Sequence, residues 1–160
     1  MRYLVVILLA CVLSTAGAQL GVGIELPEGS TLSLSAEAVT FDLRQAGYPP
    51  REFPAYYEPT HPTEPVVLRL FSNIEGAWRL EAGFAEGLLR EAGGAIPPDQ
   101  LEYRLDGGPW LRFGHSVVML EGHGLSEAYD THTIEFRIRL VGNERPGLYE
   151  GVLTFTLSTP

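Results

Sequence analysis

Three histidines and a glutamate fall close together in the second half of the chain: His115, Glu121, His123 and His132. Imidazole and carboxylate are ordinary ligands of zinc and copper, and Glu121 and His123, two residues apart, point to one side of an extended segment. Neither an H-x-H nor an H-E-x-x-H spacing occurs, so these residues read better as solvated surface groups. No metal and no other cofactor is expected. Gly114-His115-Ser116 sets an imidazole beside a hydroxyl. A serine nucleophile, however, needs a sharp turn with a base and a carboxylate converging on it, and no G-x-S-x-G is present. Among 20 acidic residues some pair will by chance lie at the roughly 5–10 Å that a glycosidase requires, so their number carries no catalytic meaning. No catalytic residue is assigned, and the chain is expected not to be an enzyme.

Aromatic side chains offer a better candidate. Tyr48, Phe53, Tyr56 and Tyr57 stand among Pro49, Pro50, Pro54, Pro59, Pro62 and Pro65. Rings with an apolar face and a polar tip suit sugar or peptide surfaces, which makes these four the candidate ligand-binding residues. The competing expectation is that they fold back to cover an open side of the fold. Proline removes ladder donors, so residues 46–65 read as a long loop or surface arm rather than a strand. Trp78 and Trp110 both lie in strand patterns and read as core.

The elements that must carry these residues are strands. From Thr133 to Leu140, Ile134, Phe136, Ile138 and Leu140 alternate with Thr133, Glu135, Arg137 and Arg139, the mark of a strand with one buried and one wet face. Residues 142–147 punctuate, and Tyr149 to Ser158 reads as the second arm of a hairpin. Val66 to Phe71 and Ala77 to Phe84 read as two strands joined around Ser72 to Gly76, with Leu68, Leu70, Trp78, Leu80 and Phe84 as the core face. Leu101, Tyr103 and Leu105 alternate with charged residues before Asp106-Gly107-Gly108-Pro109 turns the chain toward Trp110 to Phe113, and Val117 to Leu120 continues or follows it. The Asp-Gly pair is a hairpin signal because glycine accepts positive φ without a steric penalty. Leu32, Leu34 and Ala36, then Val39, Phe41 and Leu43, mark further strands. Ala85 to Ala92 reads as locally helical for one or two turns between its glycines.

About seven to nine strands with turn signals between them predict an all-β fold, an antiparallel immunoglobulin-like β-sandwich. A jelly roll or an open barrel accommodates the same pattern.

The first eighteen residues carry Arg2, an apolar run from Leu4 to Leu13 and small residues ending in Ala16-Gly17-Ala18, the layout of a cleavable signal peptide. The run is shorter than the roughly 20 apolar residues a membrane span needs, so no membrane insertion is expected after cleavage. Cys11 follows Leu8-Leu9-Ala10 in the manner of a lipoprotein site, but cleavage there would leave too short an apolar region, and the Ala18 site fits better. Residues 19–160 then form one domain with 46–65 as an insertion, secreted, periplasmic or on the cell surface. The single cysteine leaves with the signal, so no disulfide forms. Acidic residues then outnumber arginines 20 to 10, with no lysine at all. Such a surface repels phosphate, and nucleic acid is excluded as a partner.

The closing run Gly147-Leu148-Tyr149-Glu150-Gly151-Val152-Leu153-Thr154-Phe155-Thr156-Leu157 resembles the final strand of bacterial surface proteins of the spore coat protein U and chaperone-usher pilin type. The resemblance implies a structural subunit outside the cell, sometimes polymerising by donating an N-terminal strand, a part that Leu20, Val22, Ile24 and Leu26 would play. Those families usually carry a disulfide, which the mature chain lacks. The expected function is therefore an exported, non-enzymatic structural or interaction domain with a protein partner or self-association. The alternative is a secreted carbohydrate- or peptide-binding module using the aromatic arm.

Overall fold

The structure, a computed structural model, describes residues 29–158 apart from residue 45. The signal segment and the expected donor strand at Leu20, Val22, Ile24 and Leu26 lie outside the described residues. In chain order the described strands are β1 (Ser30–Leu34), β2 (Ala55–Tyr57), β3 (Val66–Ser72), β4 (Ala77–Gly83), β5 (Leu88–Arg90) and β6 (Ala95–Ile96). A single 3-10 turn, Pro98–Gln100, precedes β7 (Leu101–Leu105), β8 (Leu111–Arg112), β9 (Ser116–His123), β10 (Asp130–Leu140), β11 (Tyr149–Glu150) and β12 (Thr154–Ser158). The fold is all-β and every described pairing is antiparallel. There are more strands than the seven to nine expected because glycines and prolines break the longer runs into short pieces.

The largest sheet runs β1-β3-β10-β7-β8, with β2 also on β10. A second ladder runs β12-β4-β9 and a third β11-β5-β6. β10 organises the first sheet because its alternation is sustained over eleven residues: Ile134, Phe136, Ile138 and Leu140 are buried while the residues between them face outward. The inner faces of the first two ladders meet in one core, with Leu68, Leu70 and Ile134 from one side and Leu80, Ala82 and Met119 from the other. Phe113 sits at its centre, with ring centroids 4.6 Å from Tyr103, 6.2 Å from Phe84 and 6.3 Å from Phe136. Burying a ring of this size stabilises by about 2–3 kcal/mol. A smaller cluster of Tyr57, Ile96, Ile138 and Leu140 lies against Leu88 and Tyr149 of the third ladder.

Four sequence expectations need correction. Thr133 to Leu140 and Tyr149 to Ser158 do not form a hairpin. Both edges of β10 are already occupied, by β3 and β2 on one side and β7 on the other, so the C-terminal run pairs instead with β5 and β4. The run is also broken at Gly151, which lies against Gly87 and Phe84. β3 and β4 are joined where the sequence placed their connection, and they belong to different ladders, so Asn73 to Gly76 crosses between layers.

Ala85 to Ala92 contains no helix. Leu88–Arg90 is a strand paired on both edges, and positive φ at Gly87, Gly93 and Gly94 breaks the run too soon to nucleate a helix. Within the proline-rich arm, Ala55–Tyr57 forms a true strand in the interval between Pro54 and Pro59, where every residue keeps its N–H. Trp110, expected in the core, is half-exposed and flanked by arginines.

The turn after β7 matches its sequence signal. Asp106 and Gly107 both take positive φ, 48° and 70°, and the Gly108 amide donates to the Leu105 carbonyl at 2.7 Å.

Candidate functional site

Alternation along β2 decides the fate of the aromatic arm. Tyr56 pairs with Arg139 and faces outward, 46% exposed, whereas Tyr57 pairs with Ile138 and is 7% exposed in the smaller core cluster. Tyr48 follows Tyr57, with ring centroids 6.5 Å apart, and Phe53 lies against Gly142; both remain partly exposed. The four rings therefore do not share a platform, because neighbouring strand residues point to opposite faces. Burial, and then the nearby Tyr48 hydroxyl, pushes the Tyr57 hydroxyl above its ordinary value. That hydroxyl is buried without a hydrogen-bond partner among the described residues.

The histidines are dispersed. His115 Nδ1 lies 2.7 Å from the Ala85 carbonyl, His132 Nδ1 lies 2.7 Å from Asp106 Oδ2, and His123 ends β9 opposite Ala77. Glu121 stands opposite Arg79. Among the described residues no group of three or more His, Cys, Asp or Glu is placed to hold a metal ion. Ser116 of the Gly-His-Ser tripeptide pairs with Gly83 at the start of β9.

What the fold does assemble is a row of planar groups on the outer face of the largest sheet. Glu135 and Arg137 of β10 stand directly opposite Arg104 and Glu102 of β7, so each carboxylate meets a guanidinium across the ladder. Arg104 Nη2 donates to Glu135 Oε2 at 2.5 Å. Arg137 donates from Nε to Glu102 Oε2 at 2.7 Å, and its Nη2 lies 2.6 Å from the same oxygen as an ion pair. Glu102 itself is buried, and Arg112 of β8 approaches its other oxygen at 3.5 Å. The Arg137 guanidinium carbon lies 4.2 Å from the Tyr56 ring centroid and 4.3 Å from that of Trp110, and Arg104 lies 4.7 Å from Trp110. Contacts of this kind are worth about 0.5–1 kcal/mol each at exposed sites. The hydrogen bond to Glu135 raises Arg104 above the usual guanidinium range, and burial opposes it.

Beside Trp110 a crevice of about 60 Å³ opens between this row and the arm. Glu58, Glu64, Thr63 and Glu135 line it, with Pro59 and Pro62 forming stiff walls. Its origin is a gap in the sheet. Tyr57 pairs with Ile138 and Val66 with Ile134, so residues 58–65 pass opposite only residues 135–137 and bulge outward. Odd-numbered residues of β10 turn their backbone toward β7, as the Thr133 carbonyl does in accepting from Asp106. The amide and carbonyl of Phe136 therefore face the gap, with no strand opposite them.

Sequence reasoning singled out Tyr56 but missed Trp110, Arg104 and Arg137. The outward alternation of Glu135 and Arg137 was legible; their pairing with Glu102 and Arg104 depends on a register between strands some thirty residues apart.

These features define an all-β domain of face-packed antiparallel sheets with an arginine–aromatic row on one outer surface. Comparison of the chain with protein-family models, curated proteins and solved structures found no match.

Proposed function

We propose that this chain is an exported, non-enzymatic structural or interaction domain of the cell envelope or its surface, built as an immunoglobulin-like sandwich and self-associating through its N-terminal strand. One observation carries the self-association: β1, the first described strand, is a sheet edge. It pairs with β3 on one side, has no ladder partner on the other among the described residues, and leaves four of its five residues exposed. An unpaired edge is a template for another strand, and the alternating Leu20, Val22, Ile24 and Leu26 precede it directly. The signal-like N-terminus supports export.

The test is light scattering after size exclusion on residues 19–160 and on a form beginning at Gly29, whose nitrogen, 2.7 Å from Asn73 Oδ1 in the full chain, still donates as the N-terminal ammonium. Assembly of the longer form alone supports the proposal. Two folded monomers would refute strand-mediated association.

A second reading, a secreted module binding carbohydrate or peptide, is favoured by the Tyr56–Arg137–Trp110 row. It predicts that Tyr56→Ala abolishes binding while Tyr48→Ala, on the other side of β2, does not.

A further inference from the structure

We propose that the outer face from Tyr56 across Arg137 and Trp110 to the crevice beside Glu135 binds an uncharged polysaccharide. The proposal rests on the second reading above and names its ligand class.

The groups are held in place before any ligand arrives. Glu102 fixes Arg137 through a hydrogen bond and a close ion pair and Glu135 fixes Arg104 through a hydrogen bond, so the usual ordering cost of long side chains is largely met in the free protein. Rings and guanidinium groups alternate along the row: Tyr56, Arg137, Trp110, Arg104. A sugar presents C–H faces that pack on aromatic surface and paired hydroxyls that both donate and accept, and this row offers rings, N–H donors and carboxylate acceptors within one short span.

Charge separates this occupant from the others. Arg104, Arg112, Arg137 and Arg139 are matched by Glu58, Glu102, Glu135 and Asp99, which lie beside or pair with them. With Glu64 at the crevice as well, these groups carry no surplus positive charge, on a chain whose net charge is −9. A polyanion finds no surplus cation here and is repelled by the rest of the surface, whereas a neutral polyol meets neither penalty. Thr133, Glu135, Arg137 and Arg139 of β10 and Glu102 and Arg104 of β7 provide no aliphatic centre.

The crevice completes the site. At about 60 Å³ it has room for a few waters or one hydroxymethyl group. Thr63, Glu58, Glu64 and Phe136 line that space, and hydroxyl, carboxylate and backbone groups are the donors and acceptors a sugar hydroxyl needs.

The test is affinity electrophoresis of residues 19–160 through gels containing hydroxyethylcellulose, soluble starch or polygalacturonate, beside a pull-down on immobilised casein peptides. Retardation in at least one uncharged gel is expected, weakened about tenfold or more in Tyr56→Ala and in Trp110→Phe. Leu148→Ala, 73% exposed beside β11 of the third ladder, should migrate as the unaltered chain does. Circular dichroism confirms that each variant is folded. Retention by polygalacturonate or peptide alone overturns the ligand class and leaves the binding-module reading standing. Absence of retention on all four overturns both. Retardation in an uncharged gel that Tyr56→Ala leaves unchanged overturns the site.

Discussion

Arg137 donates from Nε to Glu102 Oε2 at 2.7 Å and holds Nη2 2.6 Å from the same oxygen, while the Glu102 side chain is only 5% exposed. A carboxylate this buried on an outward-facing strand position is retained because two arginines stand on either side of it, Arg137 on β10 and Arg112 on β8. Removing one member of a buried pair leaves the other's charge uncompensated. Glu102→Gln is therefore expected to destabilise by about 2 kcal/mol, toward the low end for a buried pair because Arg137 keeps some contact with water. Arg112→Ala, whose side chain is 56% exposed, should cost under about 1 kcal/mol. Urea denaturation midpoints of the two variants check the difference, and equal midpoints would show that Arg137 does not depend on this partner.

Phe113 joins the rings of Phe84, Tyr103 and Phe136 at the centre of the main core. Phe113→Ala should cost about 3–5 kcal/mol, since the surrounding rings cannot all collapse into the space left behind. Loss of the near-ultraviolet aromatic signal at a lower temperature would accompany it.

The pH dependence follows from Asp106. The hydrogen bond with His132, and then the one from the Thr133 amide, hold its carboxyl below the ordinary value. A carboxyl whose folded pKa is depressed stabilises the fold at pH values above its unfolded pKa, near 4, and that contribution disappears as pH falls through the folded value. Asp106→Asn keeps a residue that tolerates positive φ while removing the charge. Its stability should change less than the unaltered chain's between pH 5 and the acid limit, in melts recorded across about pH 2–6. Glu144 acts with the same sign. Burial pushes its carboxyl up, but bonds from the Val141 amide, the Gln100 side chain and the Gly142 amide outweigh this and leave it lowered.

Gly87 and Gly107 share a φ of 70° but not their surroundings. A Cβ at Gly107 would meet nothing within 4 Å, whereas at Gly87 it would overlap the Ile96 carbonyl oxygen and press on Pro97 and Pro98 at 3.1 Å. Gly107→Ala should cost about 1 kcal/mol from backbone strain alone. Gly87→Ala adds the displacement of β6 and should cost at least about 2 kcal/mol more. Thermal unfolding of the pair isolates the packing contribution, and equal losses would mean that the third ladder yields freely.

How much of this was legible in advance is clearest from particular residues. The alternation of Ile134, Phe136, Ile138 and Leu140 announced both a strand and its buried face, because side-chain direction in a strand has a local period of two. Asp106-Gly107 announced its turn for an equally local reason, the positive φ that the turn demands. Where glycine stood inside apolar runs the sequence misled: Leu88 and Leu89 looked helical, yet they pair with β6 and β11.

Sequence by itself determined the all-β character, the dominant strand and the acidic balance, since each depends on a residue and its near neighbours. Only the tertiary structure decided that Tyr56 and Tyr57 part company, that Trp110 leaves the core to lie beside Arg137, and that the C-terminal run turns away from β10 to pair with β4 and β5. Those outcomes depend on which distant strands share hydrogen bonds and in what register, and that is settled by packing two sheet faces over one core rather than by any local preference.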